Sequence, residues 1–250
     1  MTLEAQTQYG IIKAKTSLPV IDLLVVPHRG GDLTVRYPAF GRNTYNGNLK
    51  EMRETEFYHS DELPRLRFRP ATTSESVSAA DYRFEELAKL EIFDPSWLQL
   101  GWIVRTSEGV FVNPPRDTNG NPITNEAELK AYLDNCRKVN GIYLGDNDFG
   151  FAPYGTFEKG VQESGVFAEG GLARVLEHSD EKTAPKLRDI SSSKNYSRGI
   201  NVYGFDPVDE PVLRVSALYS GRDFDGGLYV NGNDHGDGSY GYAFGVKDTP

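Results

Sequence analysis

Cysteine is almost absent from this 250-residue chain, where Cys136 stands alone. No intrachain disulfide can form, so nothing signals an oxidising compartment. Histidine is scarce too. His28, His59, His178 and His235 lack the close pairing that zinc sites use. Long apolar runs are missing. The most apolar stretch, Leu18 to Val26, carries Asp22 and falls well short of the ~20 residues of a membrane helix. Pro27-His28-Arg29 come next, where a signal peptide needs small residues for cleavage. The stretch reads as a buried strand. The expectation is a soluble protein with no evident signal peptide, no transmembrane helix and no direct membrane insertion. Display at a surface needs another factor. Positive charge is the minority, with 27 Lys and Arg against 36 Asp and Glu and a net charge of −9. That disfavours nucleic acid held through phosphates and attachment to an anionic membrane surface. There is no Gly-x-Ser-x-Gly elbow, Walker loop or dinucleotide fingerprint, and no internal repeat. No cofactor is expected.

The length suits one domain spanning 1–250, with enough chain to bury a core without staples. Thr72 to Ser78 reads as an exposed loop, with Ser78 able to cap the segment after it. Three stretches read as helices. Ala79 to Leu90 has Tyr82, Leu87 and Leu90 at roughly helical spacing. Asn125 to Val139 has a capping-box spacing from Asn125 to Glu128 and an apolar face of Leu129, Tyr132, Leu133 and Cys136, with Gly141 as a stop. Ala168 to His178 is interrupted by Gly170-Gly171. Gly101 to Asn113 reads as a hairpin about a Ser-Glu-Gly turn. Leu33 to Tyr37, Gly141 to Leu144 and Gly199 to Tyr203 read as further strands. Two or three helices with short antiparallel strands, without βαβ alternation, predict an α+β fold.

The last forty residues differ from the rest. Val212 to Leu218, Leu228 to Val230 and Tyr240 to Val246 read as strands. On the third, Tyr240, Tyr242, Phe244 and Val246 share one face, with Gly241, Ala243 and Gly245 on the other. Gly- and Asp-rich connections run from Ser220 to Gly227 and from Asn231 to Ser239. Tyrosine offers contact area at low entropic cost, and Ser, Gly and Asn offer adaptable hydrogen bonding, as in antibody paratopes. From Val212 to Val246 there is no Lys, Glu, Gln, Met or Trp, although these types make up 37 of the other 215 residues. Chance leaves such a window empty only about once in a thousand on this composition. Thr16 to Leu49 lacks the same five types. The C-terminal run is set apart by its Gly, Tyr and Asp density.

This segment, with its closing Tyr242-Ala-Phe-Gly-Val246, resembles the variable proteins of diversity-generating retroelements, the archaeal type in particular. The stretch from Trp97 through Trp102 to Asn113-Pro-Pro115, and Gly141 to Gly150, are similar to that family in a less specific way. The resemblance implies a C-type-lectin-like fold whose C-terminal region, about 212–246, is rewritten by adenine-directed mutagenesis. Asn codons randomised in this way never encode Lys, Glu, Gln, Met or Trp. The implied variable positions are Tyr219, Ser220, Arg222, Phe224, Asp225, Tyr229, Asn231, Asn233, Asp234, His235 and Ser239. Leu218, Tyr242, Ala243, Phe244, Gly245 and Val246 are implied to be scaffold. The implied function is recognition of a protein or glycan ligand, without catalysis.

Other chemistry is weaker. Asp117-Thr-Asn-Gly-Asn121 with Glu128 approaches a calcium-loop spacing, but Pro122 stands where that loop needs Gly. Asp223 with Asp225, Asn231 to Asp237, and Asp146 with Asp148 also offer oxygen ligands. An Asx turn is favoured in each case, and no metal site is expected. Cys136 reads as core, and Trp97 and Trp102 as packing residues. One alternative is a lectin-fold-type enzyme or hydrolase using Asp146, Asp148, Asp223 or Asp225 in a shared cleft. The other is a structural surface or tail-fibre subunit that buries its terminus in an oligomer.

Overall fold

A computed structural model of the chain describes residues 21–55, 57–58, 65–84, 96–192, 194–223 and 225–248. In chain order the elements are β1 (Asp22–His28), β2 (Gly31–Tyr37), β3 (Phe40–Asn43), α1 (Tyr45–Glu54), β4 (Phe57–Tyr58), β5 (Arg65–Leu66), β6 (Phe68–Pro70), α2 (Thr73–Tyr82), β7 (Trp97–Arg105), β8 (Gly109–Val112), α3 (Glu126–Leu133), β9 (Arg137–Val139), β10 (Ile142–Leu144), β11 (Gly150–Pro153), β12 (Gly160–Gln162), α4 (Ser164–Glu169), α5 (Gly171–Glu177), α6 (Pro185–Ile190), β13 (Ile200–Tyr203), β14 (Val212–Ser220), β15 (Leu228–Asp234), β16 (Gly241–Ala243) and β17 (Gly245–Lys247). The α+β expectation holds, with more helices than expected.

The larger sheet runs β12-β13-β15-β14-β7-β8-β11-β10-β9, with β16 joining β7 to β3. Most pairs are antiparallel, but β13 with β15 and β16 with β7 are parallel. The smaller sheet runs β1-β2-β17-β6. The main core lies between the large sheet and α2, α5 and α6, built on Leu98, Leu100, Leu218, Leu228, Val230, Leu172, Val175 and Leu187. No helix among the described residues is long and apolar enough to cross a membrane.

Four local readings change. The first is the apolar stretch ending at Val26. It enters β1, but only alternate residues, Leu24 and Val26, are buried in the strand. The strand pairs with β2 through a turn at Arg29 and Gly30, both at positive φ, and its alternate residues leave one face open to solvent. Leu18 to Val20 lie outside the described residues.

The second is Thr72 to Ser78, which is not an exposed loop but the cap and body of a buried helix. Thr72 and Glu75 form a complete capping box. Arg69 holds the Glu75 carboxylate bidentately at 2.6 and 2.7 Å. The hydroxyls are absorbed inside: Ser76 donates to the Leu100 carbonyl at 3.1 Å and Ser78 to the Ser74 carbonyl at 3.0 Å. Ser78 is therefore no cap. The helix ends at Tyr82, and residues 85–90 lie outside the described set.

The third is the segment from Asn125. Asn125 caps α3 as expected, its Oδ1 accepting from Glu128 N at 3.0 Å. The helix stops at Leu133, and Gly141 is not its stop but the second residue of the Asn140-Gly141 hairpin turn. Both turn residues have positive φ and they join β9 to β10. Cys136 thus lies beyond the helix, half-buried, with Sγ donating to the Tyr132 carbonyl at 3.3 Å. In the fourth, Gly170 divides the stretch from Ala168 to His178 between two helices, α4 and α5.

Asp81 near the end of α2 gives a stability test. Burial first, then the neighbouring Asp189, raise its pKa to about 6. The folded state therefore holds a proton that the unfolded chain releases near 3.8, so this group lowers stability as pH rises through that window. Asp81→Asn should gain about 1–2 kcal/mol at neutral pH, after discounting for solvent screening. The gain should vanish in acid melts below that window. A loss of stability at neutral pH would contradict this account.

Candidate functional site

The strands place one row of side chains across the outer face of the large sheet. Val161 on β12 pairs with Asn201 on β13, Asn201 with Tyr229 on β15, and Tyr229 with Tyr219 on β14. Trp97 at the start of β7 continues the row, its ring 5.1 Å from that of Tyr219. The Tyr219 and Tyr229 rings are 5.6 Å apart, and Tyr203 meets Tyr229 edge-on at 6.4 Å. Val161 is 72% exposed and Tyr203 37% exposed, so the face is open at that side. Strand alternation explains the arrangement. Leu228, Val230 and Gly232 point into the core, while Tyr229 and Asn231 are half-exposed and Asn233 is exposed.

Hydrogen bonds stiffen this surface. The Tyr229 hydroxyl donates to Asp225 Oδ2, and Gly227 N donates to Asp225 Oδ1 at 3.0 Å. The tyrosine bond is the first cause holding the Asp225 carboxyl below its ordinary pKa, and it raises that of Tyr229. Asn231 Oδ1 accepts from Asn233 N at 2.8 Å. Below the next loop, buried Asn48 donates to Gln99 Oε1 at 3.0 Å and to the Gly241 carbonyl at 3.2 Å, and Gln99 donates to the Ser239 carbonyl at 3.1 Å. Gly236 packs so closely on Trp102 that a Cβ there would strike the indole. The loop carrying exposed His235 therefore stands on a fixed base.

The sequence-derived positions divide accordingly. Tyr219, Tyr229, Asn231 and Asn233 lie on β14 and β15, Asp225 is tied to Tyr229, and His235 and half-buried Ser239 belong to the adjoining loop. Arg222 is half-buried, with its guanidinium 5.4 Å over the Phe84 ring and Nε donating to Asp223 at 3.2 Å. Ser220 is a different case: it is fully buried and accepts from the Tyr196 hydroxyl at 2.9 Å. Its strand position turns it inward, so it supports the frame and offers no contact. Asp234 is also buried, where a bulge shifts the β14–β15 register. Phe224 lies outside the described residues. Leu218, Tyr242, Ala243, Phe244, Gly245 and Val246, implied to be scaffold, are all buried. The closing segment is not one strand, because Phe244 separates β16 from β17 and the two join different sheets. Tyr240, placed with that strand, is exposed instead.

Sequence reading missed the fixed part of the face. Asn201 and Tyr203 come from β13, whose alternating Ile-Asn-Val-Tyr pattern announces one open side. Trp97 was read as packing and does pack, but on the open face beside Tyr219.

A cleft of about 1000 Å³ lies elsewhere, lined by Tyr45, Trp102, Asn113, Tyr132, Asp146 and Asp148 among others. Asp223 and Asp225 do not line it, so the four acids named for hydrolysis do not converge. Asp148 is buried and engaged. It accepts from the Thr72 hydroxyl, from Ser74 Oγ at 2.7 Å and from the Arg29 guanidinium, while Asn113 donates to its carbonyl at 3.1 Å. Burial alone would raise its pKa, but the Thr72 and Ser74 hydroxyls, with His178 and Arg29, outweigh burial and hold it low. Among the described residues no group of three or more His, Cys, Asp or Glu could hold a metal ion. Asp117 Oδ1 accepts from Asn119 N and Asn121 N, both at 2.8 Å, which is the Asx turn.

No family model and no curated protein sequence matches the chain. A solved structure described as "Accommodation of massive sequence variation in Nanoarchaeota by the C-type lectin fold" superimposes with a TM-score of 0.50 at 15% identity, over 82% of this chain and 94% of its own. The chain has a C-type-lectin fold.

Proposed function

We propose that this chain is a ligand-binding protein whose C-terminal surface is diversified by retroelement-directed adenine mutagenesis for recognition of a protein or glycan target. The observation that carries the reading is the separation of roles within one short segment. Contact-capable Tyr219, Tyr229, Asn231, Asn233 and His235 stand on the open side or in its loop. Leu218, Leu228, Val230, Tyr242 and Phe244, interleaved with them, are buried. Such an arrangement lets side chains change while the frame persists. The solved structure of like fold accommodates massive sequence variation, according to its description. Catalysis is not part of this reading, because the acids that hydrolysis would need do not meet in one cleft.

The test is the DNA flanking the gene. It should contain a reverse transcriptase and a near-copy of codons 212–246 that differs only where the copy has adenine. Absence of both would remove the diversification and leave a binding surface of fixed sequence. A protein-level test accompanies it. Replacing Tyr229, Asn231 and His235 together with serine should change stability by no more than about 1–2 kcal/mol, because these groups are exposed or half-exposed. A larger loss in urea melts would show that they hold the fold.

A further inference from the structure

The far end of β7 and β14 carries charge that the aromatic row does not use. Arg105 is a buried cation, only 6% exposed. Its Nη2 donates to Asn233 Oδ1 at 2.8 Å and its Nη1 to the Asp206 carbonyl at 3.4 Å, but its Nε is buried without a partner. Arg214 Nε donates to the same Asn233 oxygen at 3.1 Å. Two guanidinium groups thus share one neutral amide oxygen. The Asp206 carboxylate is taken by Lys159 Nζ at 2.6 Å. Arg105, Arg214 and Lys159 set against Asp206 leave an excess of two positive charges, in a chain whose net charge is −9. The hydroxyl of Tyr154, whose titration feels both Arg105 and Asp206, is likewise buried without a partner.

Buried charges are ordinarily paired, and a buried donor without an acceptor calls for an occupant. Burial first, and Arg214 second, push the Arg105 pKa down, as happens to a cation lacking its counter-charge. We propose that Arg105 and Arg214 form an oxyanion subsite for a carboxylate group of the ligand, with the Asn233 amide oxygen standing in that position when the site is empty. The planar guanidinium fork matches a carboxylate bidentately, and two forks converging on one oxygen already define its seat. Asn233 is exposed, so its side chain can yield to an incoming carboxylate. The proposal makes residue 233 a specificity determinant: asparagine admits the anion, and aspartate would fill the seat from within.

The assignment extends the recognition reading to one of its own positions, and its test is separate from the search of flanking DNA. The side-chain Nε–Hε resonances of Arg105 and Arg214 are followed in the full-length labelled protein. Sodium acetate is titrated at constant ionic strength near neutral pH, with chloride as the balancing anion. Saturable shifts at both arginines are expected, lost in Asn233→Asp and in Arg214→Gln. Asn233→Asp should also melt higher by ~2–4 °C, because it supplies the missing counter-charge. N-acetylglutamate amide and glucuronate then distinguish a peptide from a sugar as the carboxylate source by which binds more tightly. A drift that never saturates, an equal response in Asn233→Asp, or saturation by phosphate but not acetate would overturn the carboxylate subsite. Should Asn233→Asp fail to fold, Arg214→Gln alone decides.

Discussion

Asp148→Ala should lower the unfolding free energy by about 3 kcal/mol at neutral pH and the melting temperature by ~10 °C. The carboxylate joins parts of the chain that are far apart in sequence. The β1–β2 turn contributes Arg29 and the start of α2 contributes Thr72 and Ser74, while Asn113, just past β8, donates to the Asp148 backbone carbonyl and would keep that bond in the alanine variant. Alanine would leave a buried hydroxyl at Ser74 and a cation at Arg29 without their acceptor, so the loss exceeds that of one ordinary hydrogen bond. Asp148→Asn keeps the shape and one acceptor oxygen and should lose roughly half as much. The pH dependence comes from the depressed pKa. The contribution is fully present above the ordinary value near 3.8 and is lost as pH falls through the lower folded value. Burial also lowers the pKa of His28 and His178, so both favour their neutral forms in the fold. Their contribution is full above 6.5 and declines as pH drops below it. The histidines and Asp148 therefore weaken the fold in two separate acid windows, offset below about 6 by Asp81, and Asp148→Ala should lose the lower one. Urea melts of Asp148→Ala showing less than about 1 kcal/mol of loss would refute the hub.

Phe244→Ala should cost about 3–5 kcal/mol. The ring is 1% exposed in the main core, at the point where the chain leaves the large sheet for the small one. The Phe244 carbonyl accepts from Ala71 N at 3.0 Å, beside the start of α2, so collapse around a smaller side chain is restrained. Tyr229, fifteen positions earlier, should lose far less when truncated. A Phe244→Ala protein that melts within a few degrees of the native one would mean that the closing segment is not scaffold.

How much was legible depended on whether the local signal pointed the same way as the tertiary setting. The strand from Val212 to Leu218 and the Asn125 cap read correctly because strand-forming residues and backbone capping act locally, although Val215 to Leu218 are buried on both faces rather than in alternation. Thr72 to Ser78 misled because serine and threonine count as polar, although the Thr-x-x-Glu capping box was present. Helix α1 was missed because Asn46, Gly47 and Asn48 are poor helix formers. Thr44 caps it, with its side chain accepting from Gly47 N, and core burial of Tyr45, Leu49 and Met52 supplies the rest. Gly141 reads as a helix stop only because the periodicity of the preceding residues extends past Leu133, where the helix ends. In the candidate surface, Tyr219, Tyr229 and Asn231 were legible from composition. Ser220 was not separable from them, since its inward turn depends on strand register and on Tyr196, twenty-four residues upstream. Arg105 and Arg214 carried no local signal, because their pairing on Asn233 arises only when β7, β14 and β15 align.

β17 pairs with both β2 and β6 and therefore completes a sheet begun near residue 22. The ribosome must pass the whole stretch from 212 to 244, still in frame, before that sheet can close. A copy of the gene with a stop or a frameshift in this stretch yields a chain without its clasp, left to proteolysis. Substitutions within this stretch leave the clasp in place, whereas loss of the reading frame removes it.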